Sequence, residues 1–474
     1  MTENPNIVYI MADDMGYGDA GCYGATKIRT PNIDRLAAEG VRFVDAHSSS
    51  AVCTPSRYSV LTGRYCWRTS LKRGVGGGFS LPLIDPARET IATLLRRNGY
   101  TTAAVGKWHV GWEWQAKHGE KINFNCWEDE GHVDYSKPII GGPTEVGFDY
   151  FFGIAGSLDM PPYCFVENDR VVAEPTEEKH PYNPQQRFGY MSPGWRDEDV
   201  DVHHARKACD WLQRTHQADP DKPFFLYLTP SAPHRPCTPP DFLAGVSDAG
   251  PRGDLVATVD WVVGQVIETL EKIGRMDDTL IILTSDNGAR PTDVDGETYG
   301  HKSCGDLRGY KGQIWDGGHR EPFIARWPGH IEPGTTCDEL ICLSDMTATC
   351  ADIVGEQLAD NVAEDSFSFL PALLGEQGGR LVREAIVHHS VEGMFSIRDS
   401  RYKLIDGRGA GAKMNAEWTR PQEDDLPGQL YDMAGDWRET TNLWDRQTDV
   451  RDRLLRLLQT CKEANRSRPR HESL

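Results

Sequence analysis

The hydrophobic pattern of the chain alternates between two kinds of segment. Short continuous apolar runs, rich in β-branched and aromatic residues, lie at 6–12, 41–46, 101–105, 223–229 and 279–285. Runs of that length without polar alternation are what strands covered on both faces require. Between them, apolar positions recur at helical spacing over 32–39, 90–98, 203–217 and 255–273, with Gly40 and Gly99 placed as C-terminal caps. This alternation predicts a large α/β domain, residues 1–375, with a mostly parallel mixed sheet sandwiched by helices. The texture then changes. Segments 384–389, 394–399 and 401–405 read as short antiparallel strands with Asp399-Ser400 as a turn, 450–463 as a helix, and 465–474 as a polar tail. They predict a C-terminal α+β subdomain, residues 376–474, with the Gly-rich 375–379 as the boundary.

Composition narrows the classes of function. The 474 residues include 47 Gly and 29 Pro, and 39% are hydrophobic, as in a soluble, loop-rich protein with a sizeable core. No apolar run approaches the roughly 18 residues of a membrane span. The balance of 51 basic against 71 acidic side chains, a net charge of −20, excludes the basic face of a nucleic-acid binder. The 12 cysteines are irregularly spaced and include no Cys-x-x-Cys pair, so they read as reduced thiols. The N-terminus, Met-Thr-Glu-Asn-Pro, carries no basic or apolar leader, which points to the cytoplasm; loss of a signal peptide would instead make the protein periplasmic or secreted. Nothing in the sequence specifies an oligomeric state.

Ligands of open parallel sheets bind beyond the carboxyl ends of the strands. Here strand 6–12 runs into Asp13-Asp14 and strand 279–285 into Asp286-Asn287, while 101–105 is followed by Lys107-Trp108-His109 and 223–229 by His234. One Asp-Asp or Asp-Asn pair alone reads as a turn or cap. Two pairs placed alike, with hard oxygen donors and no thiolate cluster, point to Ca²⁺ or Mg²⁺.

Cys53 opens the segment Cys-Thr-Pro-Ser-Arg57, ahead of a short apolar helix ending at Gly63, with Thr54 as cap and Pro55 at the first helical position. It reads as a buried structural thiol or as a thiolate nucleophile, a charge the nearby acids oppose unless a cation intervenes.

Cys53-Thr-Pro-Ser-Arg57, continuing to Leu61-Thr-Gly-Arg64, resembles the signature of the formylglycine-dependent, arylsulfatase-type sulfatases of the alkaline phosphatase superfamily. Blocks from Thr30 to Phe43, Gly106-Lys-Trp-His109, Asp286-Asn-Gly288, Leu307 to Gly312 and Ile397 to Leu404 extend the resemblance along nearly the whole chain. It implies that Asp13, Asp14, Asp286 and Asn287 hold Ca²⁺, with Mg²⁺ as the other suitable ion, and that Cys53, converted to Cα-formylglycine, completes the shell. A formylglycine-generating or anaerobic sulfatase-maturating enzyme would be the partner in that conversion. The resemblance also implies that Arg57 holds the hydrated aldehyde, that Lys107 and Lys311 grip sulfate, and that His109 and His234 form the paired histidines. Ser157, Asp159 and His301 are candidate substrate contacts.

The implied reaction is S–O cleavage of a sulfate ester. One hydroxyl of the hydrated aldehyde attacks sulfur, His234 protonates the leaving oxygen, and His109 deprotonates the second hydroxyl to expel sulfate. A serine lacks that second hydroxyl. A phosphodiester or phosphonate monoester hydrolase of the same superfamily is the nearest alternative, and a non-catalytic, metal-stabilised binding module would follow if Cys53 stayed unconverted. The expected substrate is a sulfated mono- or oligosaccharide, with aryl sulfates as surrogates: Trp108, Trp112, Trp114 and Trp127 crowd the stretch after Lys107, as a stacking platform or as core. The net charge opposes approach of a long polyanion.

Overall fold

The computed structural model describes residues 4–125, 127–181, 186–290, 298–412 and 420–470. Cys126 and the end of the polar tail lie outside them. A ten-stranded sheet forms the body of the molecule. At its centre, Thr279–Ser285, Asn6–Ala12, Phe224–Thr229, Thr101–Lys107 and Tyr150–Ile154 lie side by side and parallel. Beyond Thr279–Ser285, Phe323–Arg326 runs antiparallel and is followed by Val41–Phe43 and Thr335–Cys337; two-residue strands at Val166–Glu167 and Arg170–Val171 close the far side. The three apolar runs at 6–12, 224–229 and 279–285 are buried at every position because helices cover both faces.

Val200–Ala218 and Gly250–Lys272 pack together over one face. Cys53–Thr62, Ile91–Arg97 and Met346–Ile353 pack together on the other. The strand 41–46 of the sequence reading is two pieces, Val41–Phe43 in this sheet and Ala46–His47 paired with Ile341–Cys342. Gly99 is left-handed (φ 90°), as a cap beyond a helix end requires. Gly40 is not; a Cβ there would stand 2.1 Å from the carbonyl oxygen of Ala325, so its role is close approach to a neighbouring strand.

The four-stranded antiparallel sheet, Ile386–His389, Phe395–Arg398, Tyr402–Ile405 and Gln429–Asp432, carries the helix Thr448–Glu463. It joins the larger sheet through buried polar contacts. Arg398 pairs with Asp45, Lys403 with Asp316 (2.8 Å), and His388 Nδ1 lies 3.1 Å from Ser48 O. No helix among the described residues is long and apolar enough to cross a membrane.

Candidate active site

The parallel strands deliver the predicted residues to one place. Asn6–Ala12 and Thr279–Ser285 are in register from Asn6 opposite Thr279 to Ala12 opposite Ser285, so Asp13-Asp14 and Asp286-Asn287 leave the sheet side by side. Asp14 N–H donates to Asp286 Oδ1 (3.2 Å), and Asn287 Nδ2 donates to Asp14 Oδ1 (2.8 Å). Asp14 (φ 69°) and His109 (φ 57°) both hold the left-handed conformation, uncommon outside glycine and concentrated at functional sites. Gly106 (φ 118°) lies so close to the next strand that a Cβ would stand 2.0 Å from Thr229 O, which explains a glycine directly before Lys107.

Cys53 is the first residue of its helix, not a residue ahead of it. Val52 is the N-cap, and the Thr54 hydroxyl accepts from Gly76 N–H (3.1 Å) instead of capping. The helix thereby aims Cys53 at the carboxylates. Its Sγ lies 3.6 Å from Asp13 Oδ1 and accepts from Lys311 Nζ at 3.1 Å. Arg57, one turn on, is fully buried; it donates through Nε to Asp286 (2.9 Å) and through Nη1 to Lys107 O (3.0 Å), and its Nη2 lies 2.7 Å from Asp286 as an ion-pair contact. Lys107 Nζ meets Asp13 Oδ2 at 2.6 Å, and Lys311 meets Asp14. Ligand atoms of Asp13, Asp14, Cys53 and His234 all lie within 4.8 Å of one another.

Electrostatics follow from this packing. Burial raises the Asp14 carboxyl, but Lys311, His234 and Lys107 outweigh it and hold the group below its ordinary range. Burial, with Asp13 and Asp14 alongside, raises Asp286 despite Arg57. Burial pushes the Cys53 thiol up to about 12 although both lysines oppose it, which without a cation favours the thiol over the thiolate. Burial and the nearby Lys311 lower His234 to about 3, and burial with Lys107 lowers His109.

The backbone sets the tautomers. His109 Nε2 lies 2.9 Å from Gly76 O and must donate to it, leaving a lone pair on Nδ1, which is buried without a partner. His234 Nδ1 donates to Arg235 O (2.6 Å), leaving Nε2 facing Asp14 Oδ2 at 3.7 Å.

The substrate candidates separate. Asp159 accepts on Oδ2 from Arg187 (3.0 Å) and Arg235 (2.9 Å), while its Oδ1 is buried without a partner; Ser157 Oγ is likewise buried and unpartnered. His301 stands apart from the carboxylate cluster, with Nε2 on Asp19 Oδ1 (2.8 Å). Asp19, with Arg252, was not anticipated. Arg252 bridges Asp19 and Asp14 O (2.9 Å), bracing the turn after the first strand, and no local motif announced it. Trp108, Trp112 and Trp114 are core, packed edge-to-face on Phe148, Phe151 and Tyr135 rather than offered as a platform. Trp127 is exposed, with the Arg187 guanidinium over its ring.

A helix-sandwiched sheet with acids, lysines and histidines gathered around one cysteine at its carboxyl edge defines a hydrolase of anionic esters. The Sulfatase family model matches residues 5–356, and the chain belongs to the sulfatase family, as a sulfuric ester hydrolase. It is 35% identical to an N-acetylgalactosamine-6-O-sulfatase of Bacteroides thetaiotaomicron, over 97% of this chain and 94% of that one. It is 32% identical to human arylsulfatase A, over 93% and 83%. A solved structure from Bacteroides thetaiotaomicron, described with the metabolism of multiple glycosaminoglycans, superposes with a TM-score of 0.84 at 32% identity, covering 98% of this chain and all of the other. The phosphonate monoester hydrolase of Agrobacterium radiobacter (TM-score 0.59, 20% identity) shares the fold.

Proposed function

We propose that the chain removes sulfate from the exposed end of a sulfated mono- or oligosaccharide, with residue 53 as the nucleophile after a maturation enzyme converts it to Cα-formylglycine. The observation that carries this reading is the convergence of Asp13, Asp14, Asp286 and Asn287 on Cys53, ringed by two lysines and two histidines.

Three carboxylates and an amide whose Oδ1 is buried without a partner fit a hard cation. Asp13, Asp14, Asp286 and Asn287 would hold Ca²⁺, or Mg²⁺, which would supply fixed positive charge for a sulfate oxygen and for a hydroxyl losing its proton. Formylglycine at position 53 would supply a hydrated aldehyde, with one hydroxyl to attack sulfur and another through which sulfate can be expelled.

The chain's own residues do the rest. Arg57 locks Asp286 in place and ties it to the backbone at Lys107. Lys107 and Lys311 present ammonium groups to the sulfate oxygens, charge set in position before the reaction begins. Burial and the positive field of Lys311 keep His234 neutral; an anionic substrate between the lysines offsets the field, and Nε2 then carries the proton for the leaving oxygen. His109 offers the Nδ1 lone pair as base. The unpartnered oxygens of Asp159 and Ser157 are acceptors for hydroxyls of the sugar ring.

The saccharide reading draws on the N-acetylgalactosamine-6-O-sulfatase relative, and the net charge of −20 favours short substrates over long polyanions. The test compares kcat/KM for N-acetylgalactosamine 6-sulfate, other sulfated sugars, aryl sulfates and an aryl phosphodiester. Efficient turnover of at least one sugar sulfate is expected. Efficient turnover of aryl or alkyl sulfates alone would overturn the saccharide reading, and preference for the phosphodiester would overturn the sulfate reading.

A further inference from the structure

His301 has no place in the chemistry above, yet it is not a bland loop residue. It lines a cavity of about 440 Å³ together with Tyr17, Tyr23, Lys302, Asp306 and Trp437. That volume lies in the range of small-molecule binding sites.

The cavity stands at the same edge of the sheet as the candidate active site. Tyr17 is three residues beyond Asp14, so at most roughly 11 Å of extended chain separates them. The Tyr23 hydroxyl is bonded to Phe43 O (2.7 Å) and Phe323 N (2.9 Å), where the strand Val41–Phe43 ends and Phe323–Arg326 begins. Through Asp19 and Arg252, His301 is also tied to the backbone of Asp14.

Its lining combines aromatic surface with polar groups already fixed. Tyr17 and Tyr23 pack edge-to-face with ring centroids 4.8 Å apart, and their hydroxyls are directed to backbone carbonyls of Val44 and Phe43. The tyrosines therefore present ring surface to the cavity, not phenol groups. Trp437 is 40% exposed, unlike the buried tryptophans after Lys107, and Arg438 lies over its ring at 4.9 Å. At the rim, Asp306 holds Lys302 (2.7 Å) and Arg438, and His301 Nε2 is committed to Asp19. Aromatic faces beside a few oriented donors and acceptors suit a pyranose ring, whose C–H face is apolar and whose edge carries hydroxyls.

We propose that this cavity is a saccharide subsite that holds a further ring of an oligosaccharide substrate, beyond the ring whose sulfate is removed. The proposal rests on the saccharide reading above. It makes Trp437 a determinant of chain-length preference, outside the chemistry of sulfate removal.

The experiment compares Trp437→Ala with the native protein on N-acetylgalactosamine 6-sulfate and on a tetrasaccharide ending in that residue. A parallel titration measures binding of the unsulfated tetrasaccharide. Trp437 is exposed, so its truncation leaves the core intact. The expected result is unchanged kcat/KM on the monosaccharide, a KM on the tetrasaccharide raised about tenfold, equivalent to ~1.4 kcal/mol, and loss of unsulfated tetrasaccharide binding. Equal kinetics of native and variant proteins on both substrates, with unaltered binding, would overturn the subsite. If the native protein turned over no sugar sulfate, the saccharide reading would fall. The titration would still decide the cavity: binding abolished by Trp437→Ala upholds it, and absence of binding refutes it.

Discussion

Replacing Arg57 by Ala probes the part of the site on which every other group depends. The guanidinium is fully buried, sits on Asp286 through two nitrogens at 2.9 and 2.7 Å, and lies 3.6 Å from Asp13. Removing one partner of such a pair leaves a carboxylate in a dry interior, a cost of about 3–5 kcal/mol. The bond to Lys107 O adds about 1 kcal/mol. Lys107 O keeps a second donor, Thr229 Oγ1 at 2.8 Å, so no orphan penalty is added there. The expected loss is therefore roughly 4–6 kcal/mol, a large part of the stability of an ordinary protein. Arg57→Lys keeps the charge but not the planar fork, and should fall between. Turnover should drop at least about 100-fold in both, since a displacement near 1 Å suffices for that. The assay is guanidinium chloride unfolding with a chelator present, so that no cation takes over the carboxylates, alongside a peptide-mass check of residue 53 that separates lost geometry from failed maturation. An Arg57→Ala protein that loses less than about 1 kcal/mol and retains native kcat would refute the reasoning.

Three other outcomes follow from the same geometry. His234→Ala should slow sugar sulfates, whose alcohol leaving groups need a proton, by about 100-fold or more beyond any effect on nitrophenyl sulfate; equal losses on both would remove the acid's role. Asp286→Ala should abolish metal retention and turnover together, whereas full activity after chelation would remove the metal from the account. His388, buried and stacked on His319 at 3.9 Å, is held neutral by burial and by the neighbouring His319, His47 and Lys403. The unfolded chain binds a proton there below about pH 6.5 that the folded one refuses, so this group's contribution falls as pH drops, by roughly 1.4 kcal/mol per unit. His388→Gln should flatten the dependence of stability on pH between 6.5 and 5 by about that slope; an identical slope in both proteins would contradict it.

The central strands and the acids gathered at their carboxyl ends were legible for one reason. Strands buried on both faces read as unbroken apolar runs, and two of them, 6–12 and 279–285, stop at a polar pair where the sheet ends. Three short C-terminal strands were legible, but several strands of the large sheet were not. Val166–Glu167 has only two residues, Tyr150–Ile154 and Phe323–Arg326 lie among loop residues without a matching helical pattern beside them, and the antiparallel direction of Phe323–Arg326 is set by packing alone. The start of the helix at Cys53 was misplaced because Thr54 has the chemistry of a cap but spends its hydroxyl on Gly76. The tryptophans after Lys107 could not be sorted into core and platform by count, since burial depends on partners such as Phe151 that lie far along the chain. The Asp19–Arg252–His301 cluster spans the chain from 19 to 301 and exists only once the sheet forms.

The central claim is that residue 53 works as an aldehyde, and a mass measurement on the peptide containing it tests this most directly. The protein is expected to carry formylglycine at position 53 in proportion to its specific sulfatase activity, with Cys53→Ala inert. Full activity in protein whose residue 53 is wholly unmodified cysteine would contradict the account.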